Sequence, residues 1–218
     1  MRDHRRLFPD VEEYDMDKIQ RNTKIKLCGM MNPPDVLTAI KLKVDYVGFI
    51  LSEGFRRTIP LETFLELSGY LQGSDIKKVG VFVNEPIESI LEYYEEMLDV
   101  IQLHGNEDDQ YIKELRNHTD KPIIKAIKIV SEEDVQRAKE SIADCILLDS
   151  GTGTGKTFDH SLIKGIHRPY FLAGGLTAEN VADAIENLHP YAVDASSCLE
   201  TNGKKDPQKM SEFVRAVG

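Results

Sequence analysis

Short apolar runs recur along the chain, and the segments between them carry hydrophobic residues at helical spacing. Eight of these runs predict β-strands, which begin near Ile25, Tyr46, Val79, Val100, Ile123, Ile146, Tyr170 and Tyr191. Successive starts lie 21 to 33 residues apart, which is enough chain for one strand, one helix and their connecting loops. The pattern therefore predicts eight consecutive βα units.

Two of the intervening segments show the helical period most clearly. Residues 34–43 place Val36, Leu37 and Ile40 on one face of a helix. Residues 85–97 do the same with four apolar side chains, Ile87, Ile90, Leu91 and Tyr94. Both segments are typical of amphipathic helices that pack against a sheet.

Residues that favour helix N-termini precede several of the predicted helices. Asn84 stands before Pro86, Ser131 before two glutamates, and Thr177 shortly before Glu179. Side-chain oxygens of Asn, Ser and Thr cap the free backbone N–H groups at the start of a helix. A last helix, Pro207–Val217, is predicted after the eighth strand.

Parallel strands joined by helices form either a closed (β/α)₈ barrel or an open doubly wound sheet. In a barrel enzyme polar residues gather at the carboxyl ends of the strands, because the loops there surround one pocket. Such residues end five predicted strands: Cys28, Gln102, His104, Asp149, Gly174, Gly175, Asp194, Ser196 and Ser197. This distribution favours an α/β fold, a single (β/α)₈ TIM barrel over residues 23–218.

A short N-terminal extension, residues 1–22, precedes the first predicted strand and lies outside the repeat. It is either a tail or a helix that covers the barrel floor. A helix near residues 11–19 is the favoured interpretation.

Composition narrows the class of protein. The chain has 218 residues, 41% of them hydrophobic, which suits one globular domain with a substantial core. A net charge of −10 disfavours nucleic-acid binding, because phosphate backbones are held by clustered Lys and Arg. No apolar run approaches the length of a membrane span, and we expect a cytoplasmic protein without membrane contact.

The three cysteines, Cys28, Cys145 and Cys198, are odd in number and lack C-x-x-C spacing. They therefore indicate neither a disulfide framework nor a cysteine zinc site. Cys145 lies inside an apolar strand and is interpreted as a small buried hydrophobe. Cys28 ends the first strand, so its thiol is expected at the barrel mouth, where it can act as a base if its pKa is lowered.

A glycine pair follows the seventh strand. Gly174 and Gly175 allow an anion to approach the backbone at the start of a helix, although such a pair also makes an ordinary tight turn. Ser196 and Ser197 follow the eighth strand and add hydroxyl and amide donors. Because barrel enzymes frequently bind phosphate between loops seven and eight, these four residues predict a phosphate site.

Asp149 follows the sixth strand and opens a polar loop rich in glycine and threonine, residues 150–157. The end of this loop, Gly155-Lys156-Thr157, imitates a nucleotide P-loop, but that motif requires glycine where Ser150 stands. A mobile lid over a small substrate is favoured. Asp149 is then a residue of the pocket, and the alternative is that it only caps the loop.

The remaining candidates are substrate contacts. Gln102 and His104 close the fourth strand and suit binding of a hydroxyl or carboxylate, and Asp194 is expected beside them at the same mouth. Arg56 and Arg57 lie in the loop after the second strand, and arginine suits bidentate binding of a carboxylate. Which of the two arginines faces the pocket is left open.

Motifs spread along the chain resemble those of a known family. They are Lys26-Leu27-Cys28-Gly29, Val47-Gly48-Phe49, Val79-Gly80-Val81-Phe82-Val83-Asn84, Gln102-Leu103-His104-Gly105, Leu147-Leu148-Asp149, Gly155-Lys156-Thr157-Phe158-Asp159, Ala173-Gly174-Gly175-Leu176, Val193-Asp194-Ala195-Ser196-Ser197, Glu200 and Gly203-Lys204-Lys205-Asp206. From about Lys24 to the C-terminus the chain resembles the phosphoribosylanthranilate isomerase family of tryptophan biosynthesis.

The resemblance implies an Amadori rearrangement of N-(5-phosphoribosyl)anthranilate to 1-(2-carboxyphenylamino)-1-deoxyribulose 5-phosphate, with no metal or organic cofactor. It implies that Asp149 is the general acid for the ring oxygen and Cys28 the general base at C2. It also implies that Arg57 holds the anthranilate carboxylate. Asp149 must then keep a proton above its reference pKa of about 3.9, and Cys28 must lose one below about 8.5. Nearby cations are expected to lower the pKa of Cys28.

The chain departs from the family pattern at three positions. Cys198 stands where the family has glycine after the paired serines, and Met30 and Met31 replace smaller, more polar residues. A diverged barrel that acts on or binds another phosphorylated sugar therefore stays an alternative, as does a nonenzymatic nucleotide-binding module. The expected partner is a phosphorylated sugar amine, bound by a monomer or homodimer.

Overall fold

A computed structural model describes residues 7–9, 23–149, 163 and 165–218. Its main sheet has eight parallel strands that pair in chain order, with the last beside the first. The strands are β1 Lys24–Cys28, β2 Tyr46–Ile50, β3 Lys77–Phe82, β4 Val100–Leu103, β5 Ile123–Lys128, β6 Cys145–Asp149, β7 Tyr170–Ala173 and β8 Ala192–Ala195. This closed order confirms the predicted barrel and excludes the open doubly wound sheet.

The predicted strand starts agree with the observed ones to within two residues. The largest difference is at β3, which begins at Lys77 rather than Val79. Lys77 and Lys78 are polar, yet their backbones pair with Tyr46 and Val47 of β2. Backbone pairing does not depend on side-chain polarity, so the strand extends beyond its apolar run.

Seven α-helices lie among the described residues. They are α1 Pro33–Leu42, α2 Leu61–Tyr70, α3 Ile87–Tyr93, α4 Asp109–Arg116, α5 Glu132–Glu140, α6 Val181–Leu188 and α7 Pro207–Val217. Two 3₁₀ turns, Glu95–Met97 and Ser197–Leu199, and a short ribbon of β9 Glu200–Thr201 and β10 Lys204–Lys205 complete the described elements. The predicted loop 150–157 and the predicted helix near residues 11–19 lie outside the described residues.

Two helix predictions need correction. The segment 85–97 is α3 followed by a separate 3₁₀ turn, because the backbone leaves helical geometry at Tyr94 (φ −130°). In α1 the buried face consists of Asp35, Val36 and Ala39, whereas Leu37 is half exposed. The buried Asp35 carboxylate accepts a hydrogen bond from the Met31 N–H, so this polar side chain has a partner on the buried face.

The predicted caps have different outcomes. Ser131 caps α5 and forms a reciprocal capping box with Asp134, as predicted. Asn84 is not a cap, because it adopts φ 52° and its side chain accepts from the Asn106 N–H. Thr177 does not cap α6, which begins four residues later behind Asn180.

The barrel interior is filled by inward-facing side chains, which form a core separate from the one between strands and helices. This inner core contains Tyr46, Val79, Val100, Ile124, Ala126, Cys145, Leu147, Phe171, Ala173 and Ala192. Cys145 is fully buried there, which confirms its interpretation as a hydrophobe. Phe8 closes the amino-terminal end by packing edge-on against Phe171 and Tyr191. Part of the extension thus covers the barrel floor.

The helices of the described residues are all too short or too polar to cross a lipid bilayer.

Candidate active site

A cleft of about 590 Å³ opens at the carboxyl ends of the strands. It is lined by Cys28, Ile50, Arg57, Val81, His104, Asp149, Ala173, Gly174, Gly175, Leu176, Thr177, Asp194, Ala195, Ser196, Ser197 and Cys198. The volume is that of a small-molecule site. The structure therefore brings nine of the ten predicted site residues to one cavity, and the tenth, Gln102, lies beneath it.

Cys28 shares the inward face of β1 with a buried lysine. The Lys26 side chain is fully buried, and its Nζ lies 2.8 Å from Oδ1 of Asp194 on β8. We did not predict this ion pair. The signal was present, because strand alternation places Lys26 on the same face as Cys28.

Gly48 of β2 makes room for both groups. A Cβ atom at Gly48 would lie 2.6 Å from the Cys28 sulfur and 3.2 Å from the Lys26 Nζ. The first distance is a clash and the second a tight contact. Any side chain at position 48 would thus displace the thiol, the ammonium or both.

The surroundings of the unliganded Cys28 thiol favour its protonated form. Burial raises the pKa of Cys28, the negative charge of Asp194 raises it further, and the positive charges of Lys26 and Lys205 oppose both effects. The two cations lower the pKa as expected, but their effect is smaller than that of burial, and the net pKa lies above the ordinary value in the unliganded cleft. Desolvation of the buried thiol outweighs the two nearby ammonium groups.

A polar chain runs from Gln102 through His104 to Asp149. The Gln102 amide nitrogen lies 3.0 Å from Nδ1 of His104, and the opposite ring nitrogen lies 3.5 Å from Oδ2 of Asp149. Gln102 is fully buried and does not reach the cleft surface, so the prediction of a direct substrate contact needs correction. Its amide is turned toward the ring, where it orients His104.

Glu200 forms ion pairs with three cationic side chains, Arg56, Arg57 and Lys205, between the second and eighth loops. Its Oε1 accepts from Nε of Arg57 at 2.5 Å, and its Oε2 accepts from Arg56 at the same distance. Lys205 lies 3.1 Å from Oε1. Burial alone would raise the pKa of Glu200, but hydrogen bonds from both arginines and the charge of Lys205 lower it to about 2. Neither Glu200 nor Lys205 was among the predicted site residues.

The two arginines differ in position. Arg57 lines the cleft and its side chain is 18% exposed, whereas Arg56 is 53% exposed and points its other guanidinium nitrogen at the Gly203 carbonyl. Gly29 adopts φ 77°, and a Cβ there would lie 2.5 Å from Cδ of Arg57. Arg57 therefore crosses the end of β1 next to Cys28, and the choice between the arginines falls on Arg57.

The seventh and eighth loops are held by specific polar contacts. Gly174 and Gly175 have φ of 82° and 68°, which L-residues rarely adopt. The Asn180 side chain donates to the Gly175 carbonyl and accepts from the Thr177 N–H, so it fixes the turn after the glycines. These two hydrogen bonds hold the backbone of the loop that the sequence predicts to bind phosphate.

In the eighth loop, the Ser196 hydroxyl donates to the Cys28 carbonyl at 3.0 Å, which ties β8 to β1. Lys205 donates to the Ser196 carbonyl at 2.9 Å, and its side chain is fully buried. A positive charge therefore lies directly behind this loop, while Ser197 is exposed. The donor available for an anion is the second serine, with the lysine charge behind it.

The departures from the family pattern fall in two places. Cys198 lines the cleft beside Ser197, and burial raises the pKa of its thiol to about 11. Met30 and Met31 pack in the outer hydrophobic core instead. Only the first departure therefore touches the candidate active site.

Metal ligation has no support in the described part of the chain, where no group of three or more His, Cys, Asp or Glu side chains converges.

Comparison with known proteins gives consistent matches. A family model described as N-(5′-phosphoribosyl)anthranilate (PRA) isomerase matches residues 25–216. The chain is 43% identical over 202 residues to the N-(5′-phosphoribosyl)anthranilate isomerase of Thermoanaerobacter sp. (strain X514), covering 89% of this chain and 97% of that relative.

Two solved structures are similarly close. Phosphoribosyl anthranilate isomerase in complex with reduced 1-(o-carboxyphenylamino)-1-deoxyribulose 5-phosphate aligns with a TM-score of 0.78 and 35% identity. Monomers of the dimeric phosphoribosylanthranilate isomerase from Thermotoga maritima align with a TM-score of 0.79 and 36% identity. Each match covers 89% of this chain and 98% of the other.

Proposed function

This chain belongs to the N-(5′-phosphoribosyl)anthranilate isomerase family, and from that premise we propose which of its residues carry out the reaction. It is an isomerase of tryptophan biosynthesis that rearranges N-(5′-phosphoribosyl)anthranilate to the 1-amino-1-deoxyribulose phosphate. One observation carries the assignment of roles. A thiol from β1 and a carboxyl group from β6, Cys28 and Asp149, line a single cleft.

Asp149 acts as the general acid. Its proton passes to the furanose ring oxygen, the C1–O bond breaks, and a protonated Schiff base forms between C1 and the anthranilate nitrogen. The contact between His104 and Asp149 Oδ2 supports this role, because an imidazole there can orient the carboxyl group. Cys28 first releases its own proton to solvent, and the resulting thiolate takes the proton from C2. This yields an enolamine, which becomes the product ketone when C1 gains a proton and the 2-hydroxyl loses one.

The raised pKa of Cys28 fits a base that becomes active only with substrate bound. The protonated Schiff base places a positive charge next to C2, and an adjacent cation favours the thiolate over the thiol. The Cys28 thiolate is thereby favoured at the step in which the C2 proton is removed. An unliganded thiol that stays protonated is also less prone to oxidation, because the thiolate is the reactive form.

The two ends of the substrate are held by anion sites on opposite loops. The phosphate binds between Gly174-Gly175 and Ser197, where the backbone is open to close approach and the Lys205 charge lies behind. The anthranilate carboxylate binds the guanidinium of Arg57, whose Nε is fixed on Glu200. Asp194 contacts the sugar hydroxyls from the cleft floor. No cofactor takes part.

The test is turnover of phosphoribosylanthranilate generated in situ, with product formation followed in the wild type and in Cys28→Ser and Asp149→Asn. Each variant is expected to lose roughly 10²-fold or more in kcat, because each removes one proton-transfer group. Cys145→Ser and Asp183→Asn make the same chemical changes away from the cleft and serve as controls. A folded wild type without turnover would instead favour the diverged-paralogue alternative.

The assembly state, monomer or homodimer, and the cytoplasmic location stay predictions.

A further inference from the structure

A buried ammonium group lies in the interior of the barrel below the cleft. Lys26 is fully buried and bonded to Asp194 at 2.8 Å. Ion pairs of this kind are costly to desolvate, and apolar residues of similar volume often replace them without loss of stability. Fold stability alone therefore does not explain why a lysine stands at this position.

The position of Lys26 relative to Cys28 suggests another explanation. The two residues alternate on the inward face of β1, and their Nζ and Sγ atoms flank the same empty space beside Gly48, at 3.2 and 2.6 Å from the position of a Cβ atom. An ammonium has three donors, and Asp194 uses one of them in the described contacts. The ammonium can therefore serve a second anion.

The charged groups around the thiol come from several elements. Lys26 lies on the same strand, Asp194 on β8 and Lys205 on β10, and Arg57 crosses above Gly29 from the second loop. Gly48 on β2 presents no side chain. Lys26 lowers the pKa of the Cys28 thiol and Asp194 raises it, and these two groups are bonded to each other.

We propose that Lys26 is a positioning residue whose ammonium is shared between Asp194 and Cys28, and that it stabilises the Cys28 thiolate at the moment the C2 proton is taken. This inference rests on the proposed role of Cys28 as the base. Asp194 holds the ammonium in place and limits its pull on the thiol while the cleft is empty. When Cys28 ionises, the same ammonium faces two anions.

The test uses the titration of Cys28 without substrate. Alkylation by iodoacetamide is measured against pH, and mass spectrometry of the peptide carrying Cys28 separates it from the other cysteines. Lys26→Met is expected to move the alkylation midpoint up by about one pH unit or more, since a nearby opposite charge is lost. Asp194→Asn is expected to move it down, because the ammonium is left with Cys28 as its anion. Lys26→Arg keeps the charge and is the matched control.

A purely structural role for Lys26 would not give opposite shifts. Midpoints that move in the same direction in Lys26→Met and Asp194→Asn, or that do not move, would overturn the inference. If Lys26→Met does not fold, Asp194→Asn is compared with Lys26→Met/Asp194→Asn, which leaves neither member of the ion pair charged. The double variant must then show the higher midpoint.

Turnover separates this inference from the proposed function. Lys26→Met is expected to lower kcat about 10-fold or more while changing KM little, and to move the acidic limb of the pH profile upward. Full activity of Cys28→Ser would contradict Cys28 as the base and leave the titration result intact. An unshifted titration in Lys26→Met would contradict the inference alone.

Discussion

Arg57 donates its Nε proton to Oε1 of Glu200 at 2.5 Å, across 143 positions of sequence. The bond joins the loop after β2, where Arg57 lines the cleft, to the ribbon after β8. The bond uses only the Nε–H of the guanidinium. Glu200 therefore fixes the orientation of the Arg57 side chain and of its two terminal nitrogens. An arginine held in this way offers a carboxylate a preorganised bidentate partner.

Glu200→Gln is expected to raise KM about 10-fold and to change kcat by less than threefold. A neutral glutamine amide holds the Arg57 guanidinium less strongly than the glutamate carboxylate does. The substrate is then bound less well in the ground state and in the transition state alike. Steady-state kinetics on the purified variant measure both constants. Glu186→Gln, an exposed position on α6, is the control, and an unchanged KM in Glu200→Gln would contradict the role.

Glu200 also predicts a pH-dependent contribution to stability. Its pKa is lowered to about 2, whereas an unfolded glutamate titrates near 4.3. A lowered carboxyl pKa stabilises the fold fully above the unfolded value, and that stabilisation is lost as pH falls from about 5 toward 2.

Urea unfolding at pH 7, 4 and 3 should therefore show the wild type more stable than Glu200→Gln at pH 7, by on the order of 2 kcal/mol after allowance for solvent screening. The difference should shrink at pH 4 and further at pH 3. A difference that stays constant across this range would show that the carboxylate charge is not its source.

The strands and most of the cleft were predictable from sequence, and particular residues show why. Asp149 and Asp194 each stand at the end of an apolar run, and parallel strands in a closed barrel must bring such ends together. Lys26 was predictable by the same alternation, but a lysine in a strand was not interpreted as an inward-facing residue.

Other features depend on contacts that no local pattern contains. The bond from Arg57 to Glu200 joins residues 143 positions apart, and it forms only when the barrel closes with β8 beside β1. At the break after α3, the Tyr94 ring packs against Phe64 of α2 and Phe82 of β3. Asn84, with its left-handed backbone, accepts a hydrogen bond from the Asn106 N–H. Helical periodicity indicates which face of a helix is apolar. It does not indicate the residue at which the helix ends.

Gly48→Ala tests whether the empty space beside Cys28 matters. The added methyl group would meet the sulfur at 2.6 Å, so the thiol or the Lys26 side chain must shift. Kcat is expected to fall by about 10-fold or more, since small displacements of a proton-transfer group cost that much. Gly69→Ala is the control, because a Cβ atom there meets nothing within 4 Å and alanine is favoured in the α2 helix. Equal activity in the two variants would contradict the steric argument.

The three thiols should differ in reactivity in a way set by their surroundings. Burial raises the pKa of Cys28 above its ordinary value and that of Cys198 to about 11, and it raises that of Cys145 as well. Because the thiolate is the nucleophile, alkylation of Cys28 in the unliganded enzyme should reach its midpoint above the ordinary thiol value of about 8.5. Alkylation of Cys198 should rise at a higher pH still, and Cys145, buried in the inner core, should stay unmodified until the protein unfolds.

Iodoacetamide labelling from pH 6 to 10, quantified for each cysteine by mass spectrometry, measures all three. The reduced product analogue should protect Cys28 by occupying the cleft, and a Cys28 profile that levels off below pH 8 would mean that the cations outweigh burial in the empty site.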